Sequence, residues 1–175
     1  MHTKNKAAVW SAPKAARSRS GWLQGIVGSV GFSALVAGCG GTTHDHGSCA
    51  NETRAEPYVA GQEKVGKQGA LSVQLIESQP GPPQKGDNTW TLAVKTSAGT
   101  PVAGATVNVT PFMPDHGHGS PIKAITSELS TPAGAGQYRV TPINLFMPGL
   151  WQITVAVQTG SGTSDSAVFP FCIDG

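Results

Sequence analysis

Leu71-Ser-Val-Gln-Leu-Ile76, Pro80-Gly-Pro-Pro83 and Trp90-Thr-Leu-Ala-Val-Lys95 together decide the fold of this chain. Both hexapeptides alternate with period two, the signature of a strand with one face on a core. The proline-rich break between them cannot continue a helix and reads as a turn. Toward the C-terminus the pattern repeats in Ala105-Thr-Val-Asn-Val-Thr110, Ile122 to Ser130 and Gln137-Tyr-Arg-Val-Thr141, then in Trp151-Gln-Ile-Thr-Val-Ala-Val157 and Ser166-Ala-Val-Phe-Pro-Phe171. Turn signals such as Ser97-Ala-Gly-Thr-Pro101 separate these runs, and no segment carries a convincing helical period. Short strands at this spacing over about 100 residues predict an all-β chain, an antiparallel sandwich of about seven strands spanning residues 70–175. Trp90, Tyr138 and Trp151 then read as core or core-edge aromatics.

Toward the N-terminus the composition changes. Residues 39–69 are rich in Gly, Thr, Ser, His and charge, with little apolar periodicity, and read as a flexible tether. It contains His44-Asp45-His46, a short tract that can bind metal but is ordinarily a solvated linker. Before it, Lys4, Lys6, Lys14, Arg17 and Arg19 form a basic region without acidic residues, and an apolar stretch from Trp22 to Gly38 follows. This is the layout of a secretory signal over residues 1–38. Leu35-Val-Ala-Gly-Cys39 resembles the lipobox of bacterial lipoproteins, which implies cleavage before Cys39 and lipidation of its thiol. The competing reading, a transmembrane anchor, suits the segment less well, because it is short and diluted by Gly and a Gln. The expected location is the bacterial envelope, lipid-anchored and facing the periplasm. Gly40 in place of an Asp favours the outer membrane where there are two.

Loss of the signal changes the charge balance. The chain has 12 Lys+Arg and 10 Asp+Glu. Five of the basic residues precede Cys39, so 12 − 5 = 7 remain against 10 acidic ones, a net charge of −3. A nucleic-acid partner, which needs a basic stripe, is not supported by this balance. With Cys39 taken by lipid, Cys49 and Cys172 remain, and in an oxidising envelope they are expected to pair. The alternative is two isolated thiols, with Cys49 joining His44 and His46 as an adventitious metal site.

The chemistry concentrates in Met113-Pro-Asp-His-Gly-His-Gly119, which follows a strand and places one thioether and two imidazoles within six positions. Met147 recurs in the same Phe-Met-Pro setting, Phe146-Met147-Pro148 against Phe112-Met113-Pro114. The chain has three Met in all, one of them Met1, so core filling alone is an awkward account of this pairing. Pro114 ends strand pairing, and Gly117 permits a tight turn that lets the rings of His116 and His118 face one point, or alternate if the stretch is extended. If the Met147 loop lies at the same end, Met113, His116, His118 and Met147 make an S2N2 set suited to Cu(I) and tolerant of Cu(II). Asp115 could add an oxygen, orient a His, or seed the turn. Zinc is the rival ion, but thioether contributes little to it. An enzyme is not expected: no His-Glu-x-x-His, nucleophile elbow, phosphate loop or dinucleotide fingerprint occurs.

Gly86-Asp-Asn-Thr-Trp-Thr-Leu-Ala-Val94, Gly99-Thr-Pro-Val-Ala-Gly-Ala-Thr-Val107, Met113-Pro-Asp-His-Gly-His118, Gly136-Gln-Tyr138 and Met147-Pro-Gly-Leu-Trp-Gln-Ile153 occur in that order. Together they resemble the YtkA-like domain, an immunoglobulin-like module of bacterial envelopes akin to FixH-type proteins associated with oxidase assembly. The resemblance covers roughly Leu71 to Phe171 and implies the sandwich and a site at the Met/His loop. It also places a His at position 118. Where the family commonly has a second Met, this chain has His116. Three functional expectations follow: a copper-handling or metallochaperone-like lipoprotein whose partner is a copper-transport or oxidase-assembly protein, a structural or protein-interaction sandwich without metal, and an accessory factor in oxidase or transporter assembly.

Overall fold

The structure, a computed structural model, describes residues 49–130 and 134–175. The signal segment 1–38, Cys39, His44 and His46 lie outside the described residues. Nine strands are present among the described ones: β1 (Gln62–Val65), β2 (Leu71–Gln79), β3 (Gly86–Thr96), β4 (Thr106–Met113), β5 (His118–Gly119), β6 (Ile125–Glu128), β7 (Gln137–Leu145), β8 (Gly149–Gln158) and β9 (Ser164–Ile173). They form a five-stranded sheet, β1-β2-β3-β7-β6, and a four-stranded sheet, β5-β4-β8-β9, antiparallel throughout. The chain is an all-β sandwich.

Alternation drives this arrangement. Along β4, Val107, Val109, Pro111 and Met113 are buried while Thr106, Asn108, Thr110 and Phe112 face out. In β9 the inward set is Asp165, Ala167, Phe169, Phe171 and Ile173. The inner faces of the two sheets meet in one core, where Trp90, Leu92, Tyr138, Trp151, Ile153 and Phe169 are at most 1% exposed. Trp90 stands edge-on to Phe169 and Phe171, each with ring centroids 5.8 Å away. Tyr138 donates its hydroxyl to the Val102 carbonyl (2.7 Å) and accepts the Ala105 amide (3.0 Å), fixing the crossing from β3 to β4. Burial pushes the Tyr138 phenol above its ordinary pKa.

Two strands were not anticipated. The expected run from Ile122 to Ser130 is ladder-paired only over Ile125–Glu128, while β1 and β5 arise elsewhere. β1 lies within the stretch read as tether. Its four residues, Gln-Glu-Lys-Val, carry too little apolar signal to announce a strand, but β2 supplies a complete antiparallel partner. Upstream, the Glu56 amide bonds to the Pro170 carbonyl (2.9 Å), and the Tyr58 hydroxyl accepts the Ser78 amide (2.9 Å). Residues 49–65 therefore act as a strap, held to β9 at Cys49 and Glu56 and to β2 at Tyr58 and along β1. Cys49 and Cys172 are joined by a disulfide, with Cα atoms 5.6 Å apart and a sequence separation of 123. A loop of that length implies about 5 kcal/mol of chain-entropy stabilisation.

The β1–β2 turn is organised by Asp165. Its Oδ1 accepts the amides of Gln68 (2.9 Å) and Ser166 (2.8 Å), and its Oδ2 those of Ala70 (2.9 Å) and Leu71 (3.1 Å). Desolvation raises the carboxyl's pKa, but the four amide donors outweigh it and hold the group below its ordinary value. Gly66 leaves the room this needs, since a Cβ there would sit 2.2 Å from the Asp165 carboxyl carbon.

Candidate metal centre

The Met/His loop is a short hairpin. β4 ends at Met113, the amides of His116 (3.3 Å) and Gly117 (2.9 Å) turn back onto the Met113 carbonyl, and Gly117 takes φ +68°. That left-handed conformation is one that a glycine adopts at little cost. The chain then re-enters the sheet as β5, in a register that sets His118 opposite Met113 and Gly119 opposite Phe112. Residues directly opposite in an antiparallel pair project from the same face, with Cβ atoms roughly 4.5–5.5 Å apart. The Met113 thioether and the His118 imidazole thus share the inner face at one end of the sandwich.

The second Phe-Met-Pro turn reaches the same end. β8 runs antiparallel to β4, so the Gly149 end of β8 lies beside the Met113 end of β4. The Phe146 ring stacks on His118 with centroids 5.7 Å apart and an interplanar angle of 24°, and it meets Trp151 edge-on at 5.7 Å. Trp151 donates its indole N–H to the Met147 carbonyl (2.9 Å), which fixes the Met147 backbone above the core. Met147 is half-buried and packs against the core cluster.

The two imidazoles are neighbours, with centroids 5.6 Å apart and planes at 56°. Rings that share one ion through nitrogens about 2.0 Å from it have centroids roughly 5–6 Å apart. His118 Nδ1 lies 3.3 Å from the Gly119 carbonyl. With Nδ1 as donor, Nε2 keeps its lone pair for a ligand. His116 is exposed and His118 half-buried at the rim.

One expectation needs correction. Met113 is 1% exposed and belongs to the core cluster, so core filling does account for its place. Inward alternation on β4 puts it there, and its sulfur could reach an ion only from the floor of the site. Asp115, for its part, is held by Arg54. Arg54 Nη1 and Nη2 each lie 2.7 Å from one of its carboxylate oxygens. Arg54 Nε and Nη2 meet Glu52 as well, at 2.9 and 2.6 Å, and these bonds hold the Glu52 carboxyl below its ordinary pKa. Sequence reasoning missed Arg54 because it assigned the strap to a tether. It also left Phe146 and Trp151 without a role at the loop, although the Phe-Met-Pro repeat already contained the Phe.

Among the described residues, no three His, Cys, Asp or Glu side chains converge as a metal-binding group. The donors that the two Phe-Met-Pro turns and the hairpin contribute are thioether sulfur and imidazole nitrogen, a set that fits a soft ion better than a hard one.

No curated protein matches the chain. Among solved structures, a DUF4426 family protein from Pseudomonas aeruginosa PAO1 aligns at 16% identity and a TM-score of 0.46, covering 63% of this chain and 96% of that one. The family model described as YtkA-like matches residues 67–156, just over half of the 175 residues, from β2 to most of β8 and including the Met/His hairpin. The chain belongs to the YtkA-like family.

Proposed function

We propose that this chain is a bacterial envelope lipoprotein that binds one copper ion at the Met/His end of its sandwich and handles copper rather than catalysing a reaction. The observation that carries this reading is the convergence of the two Phe-Met-Pro turns: Met113 and His118 share one face through their register, and Phe146, next to Met147, stacks on His118. His116 and His118 supply nitrogen, Met147 supplies sulfur from the facing turn, and Met113 supplies sulfur from below. Such a set holds Cu(I) firmly and accepts Cu(II) through its imidazoles. The rim position of the histidines leaves the ion accessible to a partner, as transfer between proteins requires. The lipobox-like Leu35–Cys39 segment would tether the domain to the membrane, with a copper-transport or oxidase-assembly protein as partner.

A second reading, a protein-interaction module without metal, draws on the outward-facing apolar residues near the hairpin. Phe112, Ile122 and Ile125 are 39%, 44% and 70% exposed. X-ray absorption at the copper edge of the Cu(I)-loaded chain separates the two. Mixed sulfur and nitrogen scatterers, with sulfur reduced in Met147→Leu, support the copper reading. A shell of nitrogen and oxygen alone, unchanged by Met147→Leu, contradicts it.

A further inference from the structure

We propose that Arg54 sets the ion specificity of the Met/His end by withholding the Asp115 carboxylate from it, an inference that rests on the metal reading above. Asp115 precedes His116 and is the nearest hard donor in sequence to the candidate ligands. A carboxylate added to two imidazoles would make the site hospitable to Zn(II) and Cu(II), which take nitrogen and oxygen readily. Here both Asp115 oxygens are engaged, one by each terminal nitrogen of Arg54, at 2.7 Å.

The guanidinium is itself held in place. Glu52 grips the adjacent edge through Nε and Nη2, so the planar fork is aimed at Asp115 rather than free to swing. The strap carrying both residues is pinned on either side, by the Cys49–Cys172 disulfide and by the Glu56 amide on the Pro170 carbonyl. Arg54 and Asp115 side chains are 52% and 46% exposed, and an ion pair so accessible to solvent adds little to stability. Its consequence is positional: it occupies a hard oxygen donor beside the loop. Arg54 lies outside residues 67–156 matched by the family model and Asp115 within them, so the pair joins the strap to the matched region.

The test uses the full-length chain in detergent with His44→Ala and His46→Ala, so that the His-Asp-His segment does not contribute. Cu(I), held anaerobically, and Zn(II) are each titrated against a competing chelator. Arg54→Gln is expected to raise Zn(II) affinity relative to Cu(I) by about tenfold or more, the scale on which neighbours of metal ligands act. Asp115→Asn alone should leave both affinities near the starting values, because the carboxylate is not a ligand there. Added to Arg54→Gln, it should cancel the gain in Zn(II). Circular dichroism and an intact disulfide by mass establish that each variant is folded. If the starting chain binds Cu(I) selectively and Arg54→Gln leaves the ratio unchanged, the Arg54 proposal alone is overturned. If the starting chain holds no Cu(I), the metal reading falls and this proposal with it.

Discussion

Replacing Asp165 by Asn removes one charge and one acceptor from a cluster of four backbone amides. The carboxylate accepts two amides on each oxygen at 2.8–3.1 Å, and the residue is 6% exposed. The Asn carbonyl can serve one pair, while the amide nitrogen turns donors toward the other pair. Two hydrogen bonds to a charged acceptor are lost, each worth about 1.5–3 kcal/mol, so the cost is about 3–6 kcal/mol. Against a total stability of about 5–15 kcal/mol this is large. With a urea slope of about 2 kcal/mol per molar, the midpoint should fall by roughly 2 M at about pH 7. The sign of the pH dependence follows from the depressed folded pKa of Asp165. Its stabilisation is fully present above the unfolded value of about 3.9 and is lost as pH falls through the lower folded value. The gap between wild type and Asp165→Asn should therefore narrow in urea titrations below about pH 4. A midpoint shift under about 0.5 M at neutral pH, or a gap of equal size near pH 3, would refute the assignment of the β1–β2 turn to this carboxylate.

Other outcomes are equally specific. Cys49→Ser/Cys172→Ser should lose up to about 5 kcal/mol of stability, seen as a lower melting temperature that matches that of reduced wild type; a variant melting with oxidised wild type would show that the strap holds without its staple. Cys39→Ala should abolish incorporation of a palmitate analogue and leave precursor uncleaved, and equal labelling of variant and wild type would remove the lipoprotein claim. Met147→Leu keeps volume and apolarity, so chemical denaturation should show a cost under about 1.5 kcal/mol, while chelator competition shows weakened Cu(I) binding. Acidification should release the ion, because protonated imidazole cannot ligate, and retention of copper in acid by the wild-type chain would argue against histidine ligands.

Much of the architecture was legible because β4, β8 and β9 alternate cleanly, and a strand with one face on a core cannot hide that period. β1 was not legible, since its residues bury no apolar face and it exists only because β2 offers an edge. β5 was hidden inside the hairpin for the same reason, being two residues long. At the site, residue chemistry and the Phe-Met-Pro repeat singled out the two loops. Their meeting through Phe146 and His118 depends on the β4–β8 pairing, a contact between distant segments that no local pattern encodes. The burial of Met113 could have been read from its phase with Val107 and Val109. The clamp on Asp115 could not, because Arg54 lies 61 residues away in a stretch without periodicity.

The most direct test of the copper reading is an anaerobic Cu(I) titration, against a competing chelator, of the wild-type chain and of His116→Ala/His118→Ala. The expected result is one tightly held Cu(I) per wild-type chain and loss of that binding in the double variant, with the fold unchanged by circular dichroism. A double variant that binds Cu(I) as tightly as wild type would contradict the account and leave the interaction module as the better reading.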